Sequence, residues 1–291
     1  MTTGAVETVV ALPGPAGAAP LGDAEFAAIA AIMQSDARIH LTEIKKTLVH
    51  GRLSRRLRMH NVATFRDYLR LVRSDPVERA EMVVALTTNH THFFRENHHF
   101  EHFREKVLPA LKRDAQSRPI RIWSAGCSSG EEVYTIAMCL LGEDRTAAAW
   151  LRSADVKLLA TDLAPHVVDS VRRGTYPDTV VAAIPTAYRK TWVQPAGGEF
   201  AIAAQARDLV TARVLNLFDP WPMKQHYDVI FCRNVMIYFD DRAKEELEQR
   251  FVDMLVPGGY LYIGHSERLI GPAAKAMAGC GQTIYVKRDR A

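Results

Sequence analysis

The stretch THFFRENHHFEH, from Thr91 to His102, sets Arg95 among His92, His98, His99 and His102, with His90 just ahead of it. Imidazole is the commonest metal ligand, so two chemistries compete: a metal centre, or an arginine-centred site framed by histidines. On a helix His98 and His102 would share one face at i, i+4, a spacing that can bind a metal. A zinc-protease motif would place Glu directly after the first His and a third ligand elsewhere. Here His99 follows His98, and no other Cys/His pair has ligand spacing. The expectation is no metal, with the histidines packing at a domain junction around Arg95.

Other chemistry-bearing residues lie where apolar runs end. SAGCSSGEE, Ser124 to Glu132, is a glycine turn with two carboxylates at the start of the next helix. It is not the GxGxxG of dinucleotide binders, and Glu131 and Glu132 would repel phosphate and favour a cation. Asp162 closes LLATD, where an acid can accept bonds from both hydroxyls of a ribose or cap the following helix. Asn216, in NLF, and Asn234, in CRNVMIYFD, directly follow apolar runs. Together these favour a ligand with a ribose, a cationic amino-acid end and no phosphates, a description that S-adenosylmethionine fits. Its ribose would go to Asp162, its α-amino group to the Glu131–Glu132 turn, and its adenine beside Asn216 and Leu217.

The elements that must position these residues change character along the chain. From Asp23, DAEFAAIAAIMQSDA, LTEIKKTLVHGRLSRRLRMH, TFRDYLRLVRS and DPVERAEMVVALTT read as helices, the last two capped by Thr64 and Asp75. After residue 115, IRIWSAG, VKLLATD, ARVLNLF, YDVIFCRNV, GGYLYIGHSE and QTIYVKR read as strands. EEVYTIAMCLLGE, PHVVDSVRRG and DRAKEELEQRFVDML read as the helices between them. That alternation predicts a mostly parallel sheet covered on both faces, with PAGGEFAIAAQ as an inserted hairpin. The predicted organisation is a disordered leader 1–22, a helical domain 23–88, a linker 89–114 contributing to the site, and an α/β domain 115–291 with an insertion at about 176–208.

The 291 residues are 48% hydrophobic and 24% charged, with a net charge of +4, as in a globular protein with an acidic partner of unspecified kind. Cys127, Cys139, Cys232 and Cys280 form no CxxC pattern and read as reduced thiols of a cytoplasmic protein. The leader lacks the basic and apolar regions of a signal peptide, and no apolar run is long enough to span a bilayer. With no heptad seam, the expected state is a monomer.

Four segments, TTNHTHFFRENHHF, WSAGCSSGEEVYTIA, FCRNVMIYFD and LVPGGYLYIGHSE, resemble in order and spacing the signature segments of the CheR family, the chemotaxis-receptor glutamate O-methyltransferases. The resemblance runs from about Asp23 to the end. It implies a small all-α domain followed by a Rossmann-like class I S-adenosylmethionine methyltransferase domain carrying an inserted β-subdomain. It implies cofactor contacts from Asn89, Thr91, Arg95, Glu132, Asp162, Asn216, Leu217, Arg233 and Asn234, with S-adenosylhomocysteine as product. The partner it implies is the cytoplasmic domain of methyl-accepting chemoreceptors, whose C-terminal pentapeptide some members grip with the insertion.

The implied reaction moves a methyl group to the γ-carboxylate of a glutamate. A carboxylate is already the nucleophile at neutral pH, so no general base is required, and catalysis rests on placement and exclusion of water. Arg95 could orient the incoming carboxylate or hold the cofactor's own, and Tyr238 could shape the transfer site. Lys45, Arg52 and Arg56 fall on one helical face, widened by Arg55 and Arg58. That face could be a solvated surface, a nucleic-acid surface or, as the resemblance implies, the receptor-docking surface. An RNA or small-molecule methyltransferase and a non-catalytic cofactor-binding module are the competing readings.

Overall fold

The computed structural model describes residues 19–289. The expected leader therefore lies almost wholly outside the described residues. By internal contacts the chain divides into two units. One holds residues up to Met33 together with Leu41–Leu86; the other holds Gln34–His40 together with the chain from Thr87 onward.

The first unit is helical: most of α1 (Asp23–Ala37), a 3-10 turn (Glu43–Lys45), α2 (Lys46–Met59), α3 (Phe65–Ser74) and α4 (Pro76–Leu86). The Thr64 hydroxyl accepts from the Asp67 N–H at 3.2 Å, and Asp75 Oδ1 accepts from the Val77 N–H at 2.8 Å, satisfying otherwise orphaned first-turn donors. Val49, Leu53 and Leu57 of α2, Phe65, Tyr68 and Val72 of α3 and Met82 of α4 are buried at helical spacing. Among them lies the buried Glu78 carboxylate. It accepts from the Arg56 guanidinium, the Tyr68 hydroxyl and, at 2.6 Å, the His60 ring.

That network engages part of the expected basic face. Arg56 is turned inward onto Glu78 and Glu81, and Arg52 donates to the Leu86 carbonyl at 2.9 Å. Lys45, Arg55 and Arg58 remain exposed, flanked by the 89%-exposed Ile44. The helical repeat holds, but it does not say which side of α2 meets α4.

The second unit begins, beyond the strap Gln34–His40, with α5 (His98–His102), a π-helical turn (Phe103–Val107) and α6 (Leu108–Asp114). The span expected as a linker thus contains a helical run. There follow β1 (Ile120–Ala125), α7 (Glu131–Leu141), β2 (Val156–Asp162), α8 (Pro165–Arg173), β3 (Thr175–Tyr176), α9 (Asp178–Val181), α10 (Thr186–Trp192), β4 (Val193–Ala196), β5 (Glu199–Ile202), α11 (Ala204–Arg207) and β6 (Val210–Val214). The chain closes with β7 (Tyr227–Cys232), a 3-10 turn (Met236–Tyr238), α12 (Asp241–Met254), β8 (Leu255–Ile263), β9 (Met277–Gly281) and β10 (Ile284–Lys287).

Seven strands form one sheet in the order β6-β2-β1-β7-β8-β10-β9. The first five are parallel, and β10 runs antiparallel to both β8 and β9. Strand alternation divides the core in two. Ile122, Val229, Phe231 and Tyr262 join the cluster of α5, α6 and α7, whereas Trp123, Ile230, Leu261 and Ile263 join Leu247 and Phe251 of α12.

The hairpin expected at PAGGEFAIAAQ is β4–β5, turned at Gly197 and Gly198, both at positive φ, with β3 pairing the far edge of β5. The strand expected at ARVLNLF sits earlier, at Val210–Val214. Its last rung is the Leu215 N–H to the Asp162 carbonyl at 2.9 Å, after which the chain leaves the sheet. Strand β9, MAGCG, is unexpected, because two glycines around a cysteine carry no strand signal.

Candidate active site

Between β1 and β7 the strand order runs off in opposite directions, the point at which open parallel sheets bind ligands beyond their carboxyl ends. A cavity of about 330 Å³ opens there. Its walls come from the loops after β1, β2, β6 and β7, from Thr87–Thr91 and Arg95, and from Ala37 of the strap. Gly126, at φ 80°, turns the chain out of β1; a Cβ there would meet the Val235 side chain at 2.4 Å. Gly130, at φ 104°, opens α7 where a Cβ would meet the Tyr176 hydroxyl at 2.8 Å.

The structure brings Asn89, Thr91, Arg95, Glu132, Asp162, Asn216, Leu217, Arg233, Asn234 and Tyr238 together on this one cavity. Of the paired glutamates only Glu132 lines it; Glu131 instead accepts from the Ser129 hydroxyl at 2.7 Å. Asp162 does not cap α8, whose N-cap is Ala164. Its two oxygens accept from the Ser128 N–H at 2.9 Å and the Ala164 N–H at 3.1 Å, each keeping a lone pair for a ligand hydroxyl. Burial raises the Asp162 pKa, and the N–H groups of Ala164, Ser128 and Leu163 oppose that shift. Asn216 is already engaged, donating to the Asp36 carbonyl at 2.7 Å and accepting from the Phe218 N–H at 3.1 Å. Its side chain therefore shapes the wall.

Behind the cavity lies a charge cluster. Arg233, almost fully buried, ion-pairs with Glu132 at 3.0 Å and Glu96 at 3.3 Å, and donates to the Arg95 carbonyl. Glu132 also accepts from the Ser124 hydroxyl at 2.7 Å. Two carboxylates thus share one guanidinium, leaving a surplus negative charge beside the cavity. Burial raises the Glu132 pKa against the pull of Arg233. Burial raises that of Glu96 too, but Arg233, His265 and Asn234 outweigh it and bring the value to about 2.

Arg95 stands in contrast. Its guanidinium donates to the His90 carbonyl at 3.1 Å and meets no carboxylate among the described residues. The Tyr238 carbonyl accepts from the His40 N–H at 2.8 Å, and Tyr238 is among the residues lining the cavity. Glu267, which no sequence pattern singles out, is buried and accepts from the N–H groups of Asn234, Ile237 and Gly264, holding the loop that carries Asn234 and Tyr238. Glu96 and Glu267 both stand inside the signature segments, but one sequence does not reveal what a carboxylate binds.

His99 and His102 pack within the second unit. His99 Nε2 lies 3.0 Å from the Thr283 hydroxyl, and His102 Nδ1 lies 2.9 Å from that of Tyr262. Burial foremost, and Arg233 next, lower the His99 pKa to about 3. Among the described residues no three His, Cys, Asp or Glu side chains converge as a metal site.

The donor set suits an S-adenosylmethionine molecule. Asp162 would take the ribose, the surplus charge at Glu132 the α-ammonium, and Leu217 with Ala37 the adenine. The chain matches the CheR methyltransferase SAM binding domain over residues 89–286 and the CheR methyltransferase all-alpha domain over residues 24–87. It is 43% identical over 261 residues to a probable chemotaxis protein methyltransferase of Rhizobium etli, spanning 87% of this chain and 96% of that one. The chemotaxis protein methyltransferase of Borreliella burgdorferi is 36% identical over 257 residues, 85% of this chain and 89% of that one. That of Klebsiella aerogenes is 36% identical over 296 residues, 98% of this chain and 96% of that one.

Cavity, fold and matches together define an S-adenosylmethionine-dependent methyltransferase. The chain belongs to the CheR methyltransferase family.

Proposed function

We propose that this protein methylates the γ-carboxylate of glutamate side chains on the cytoplasmic domain of chemoreceptors. The observation that carries the reading is Arg95: a cavity-lining guanidinium without a carboxylate partner among the described residues, beside a cluster that has one carboxylate to spare. Bound S-adenosylmethionine supplies a methyl group on a sulfonium. The protein's share is placement. Arg95 holds the incoming carboxylate by two parallel N–H bonds, Tyr238 borders its path, and the apolar walls at Leu217, Val235 and Ile237 exclude water. The Glu96–Arg233–Glu132 cluster and Asp162 fix the cofactor end.

Lys45, Arg55 and Arg58, with Ile44 and the half-exposed Leu48, form a basic and apolar strip along the 3-10 turn and α2, suited to an acidic amphipathic helix. The β4–β5 hairpin, with Arg189 and Lys190 lining a groove beside Phe200, suits an acidic receptor C-terminus.

The test is transfer of labelled methyl from S-adenosylmethionine to membranes bearing the same organism's chemoreceptors. Label on the receptor band, released by mild base as a carboxyl ester must be, supports the reading. Base-stable label, or label on RNA, transfers the site to another substrate. Tight cofactor binding with no transfer to any of these leaves a non-catalytic module. An Asp162→Ala variant binding the cofactor as tightly as wild type by calorimetry would remove the ribose assignment.

A further inference from the structure

Arg95 stands between two residues with left-handed backbone: Phe94 and Glu96 both have φ 55°. Residues with a Cβ disfavour that region, and it persists only where the surroundings over-determine it. Phe94 is held by packing. Its buried ring lies 5.8 Å from Phe100 and 5.4 Å from Tyr188, and its N–H donates to the Thr135 hydroxyl at 3.2 Å. Glu96 is held by its own side chain. One carboxylate oxygen lies 2.8 Å from His265 Nδ1 and accepts from Asn234 Nδ2 at 3.2 Å; the other faces Arg233 Nη2 at 3.3 Å. The same Arg233 nitrogen donates to the Arg95 carbonyl. The Arg95 side chain has only the His90 carbonyl, from its own loop, to steady it among the described residues. Its aim is therefore set by the backbone on either side.

We propose that Glu96 is a positioning residue for Arg95. Through Arg233, Asn234 and His265 it locks the left-handed turn that points the guanidinium into the cavity. This rests on the reading of Arg95 as the group that receives the substrate carboxylate. A carboxylate serving only general stability, or only the charge of the cofactor subsite, would act whether or not Arg95 were present. One aimed at Arg95 would not.

The experiment is a double-mutant cycle on the full chain. It is read as kcat for receptor methylation by tritium incorporation at saturating S-adenosylmethionine, so that losses of cofactor affinity drop out. Glu96→Gln should lower kcat by about tenfold or more, the scale of a misplaced catalytic group. Made in an Arg95→Ala background, the same change should cost less than about twofold further. Glu96→Asp, which keeps the charge and tolerates left-handed backbone, should recover much of the loss. An equal loss in both backgrounds overturns the proposal. So does an unaffected Glu96→Gln beside a crippled Arg95→Ala, an outcome that leaves the role of Arg95 standing. Wild-type turnover by Arg95→Ala would remove both. If Glu96→Gln does not fold, Glu96→Asn, which suits a left-handed backbone, enters the same cycle: a loss confined to the Arg95 background supports the proposal, and an equal loss in both overturns it.

Discussion

Two carboxylates in this molecule, Glu78 in the helical unit and Glu96 in the α/β unit, are each clasped by an arginine and a histidine, yet they are finished differently. Glu78 is fully buried and satisfied by Arg56, Tyr68 and His60, with Glu81 beside it, and none of these groups is a buried atom without a partner. Glu96 belongs to a cluster left open. One of its oxygens, His99 Nδ1 and Arg233 Nε are buried without a hydrogen bond among the described residues, and its backbone is strained. A closed network spends its charge on holding helices together. An open one keeps charge and strain in hand for a ligand, which is where functional sites depart from the rules that the rest of a fold obeys.

Arg233→Met should have the largest effect. It strands Glu96 and Glu132 together, and should cost about 3–5 kcal/mol of stability, the usual penalty for orphaning buried charge. Urea unfolding would measure it, and an unchanged midpoint would deny the cluster its structural weight. Glu78→Gln should follow at about 2–3 kcal/mol, since it leaves the partly buried Arg56 with only the half-exposed Glu81 as counter-charge. Its calorimetric affinity for S-adenosylmethionine should stay within about threefold of wild type, because it alters no cavity residue. A larger loss would mean that the closed network also serves the site.

Acid should find the open cluster next. His99 has a folded pKa of about 3 against an ordinary 6.5, so below 6.5 the unfolded chain takes up the proton first. Stability present above pH 6.5 is therefore lost progressively as the pH falls toward 3. Glu96 adds a loss of the same sign between its ordinary 4.5 and about 2. A His99→Gln variant should show a flatter decline in melting temperature between pH 6.5 and 4; a parallel decline would assign the sensitivity elsewhere. The smallest effect on the fold belongs to Arg55→Glu with Arg58→Glu. These should change stability by no more than about 0.5 kcal/mol. They should nonetheless lower receptor methylation several-fold at low salt, less so as salt rises. Arg56→Glu, one position along, should unfold the helical unit.

The contrast between Arg55 and Arg56 also marks how far sequence carries. Helical spacing places both on α2, but which one faces α4 depends on a tertiary choice that a repeat of 3.6 residues cannot make. The strand ends are legible because an apolar run closing on Gly126, Asp162 or Asn234 is a local pattern, and the parallel sheet then gathers those ends at one edge. ARVLNLF starts two residues after the strand does and runs four past its end, because Leu215, Leu217 and Phe218 extend the apolar run; these residues line the cavity wall instead. Glu96 and Glu267 escape because their partners, Arg233, Asn234, Ile237 and Gly264, are distant in sequence or bonded through backbone N–H groups that every residue but proline carries. Pairing of that sort leaves no composition to read.

The strap Gln34–His40 has a consequence for anyone who would cut this protein in two. It belongs by contacts with the α/β unit, although the chain on both sides of it belongs with the helices. It gives the cavity Ala37, the Asp36 carbonyl that fixes Asn216, the His40 N–H that meets the Tyr238 carbonyl, and a bridge from Ile39 to Phe239. A polypeptide beginning at Thr87 would contain every strand of the sheet and still lack one wall of its own binding site. Domain boundaries drawn along the chain and boundaries drawn in space are different things here. Swapping everything before Thr87 between relatives would exchange part of this cavity's wall along with the helices.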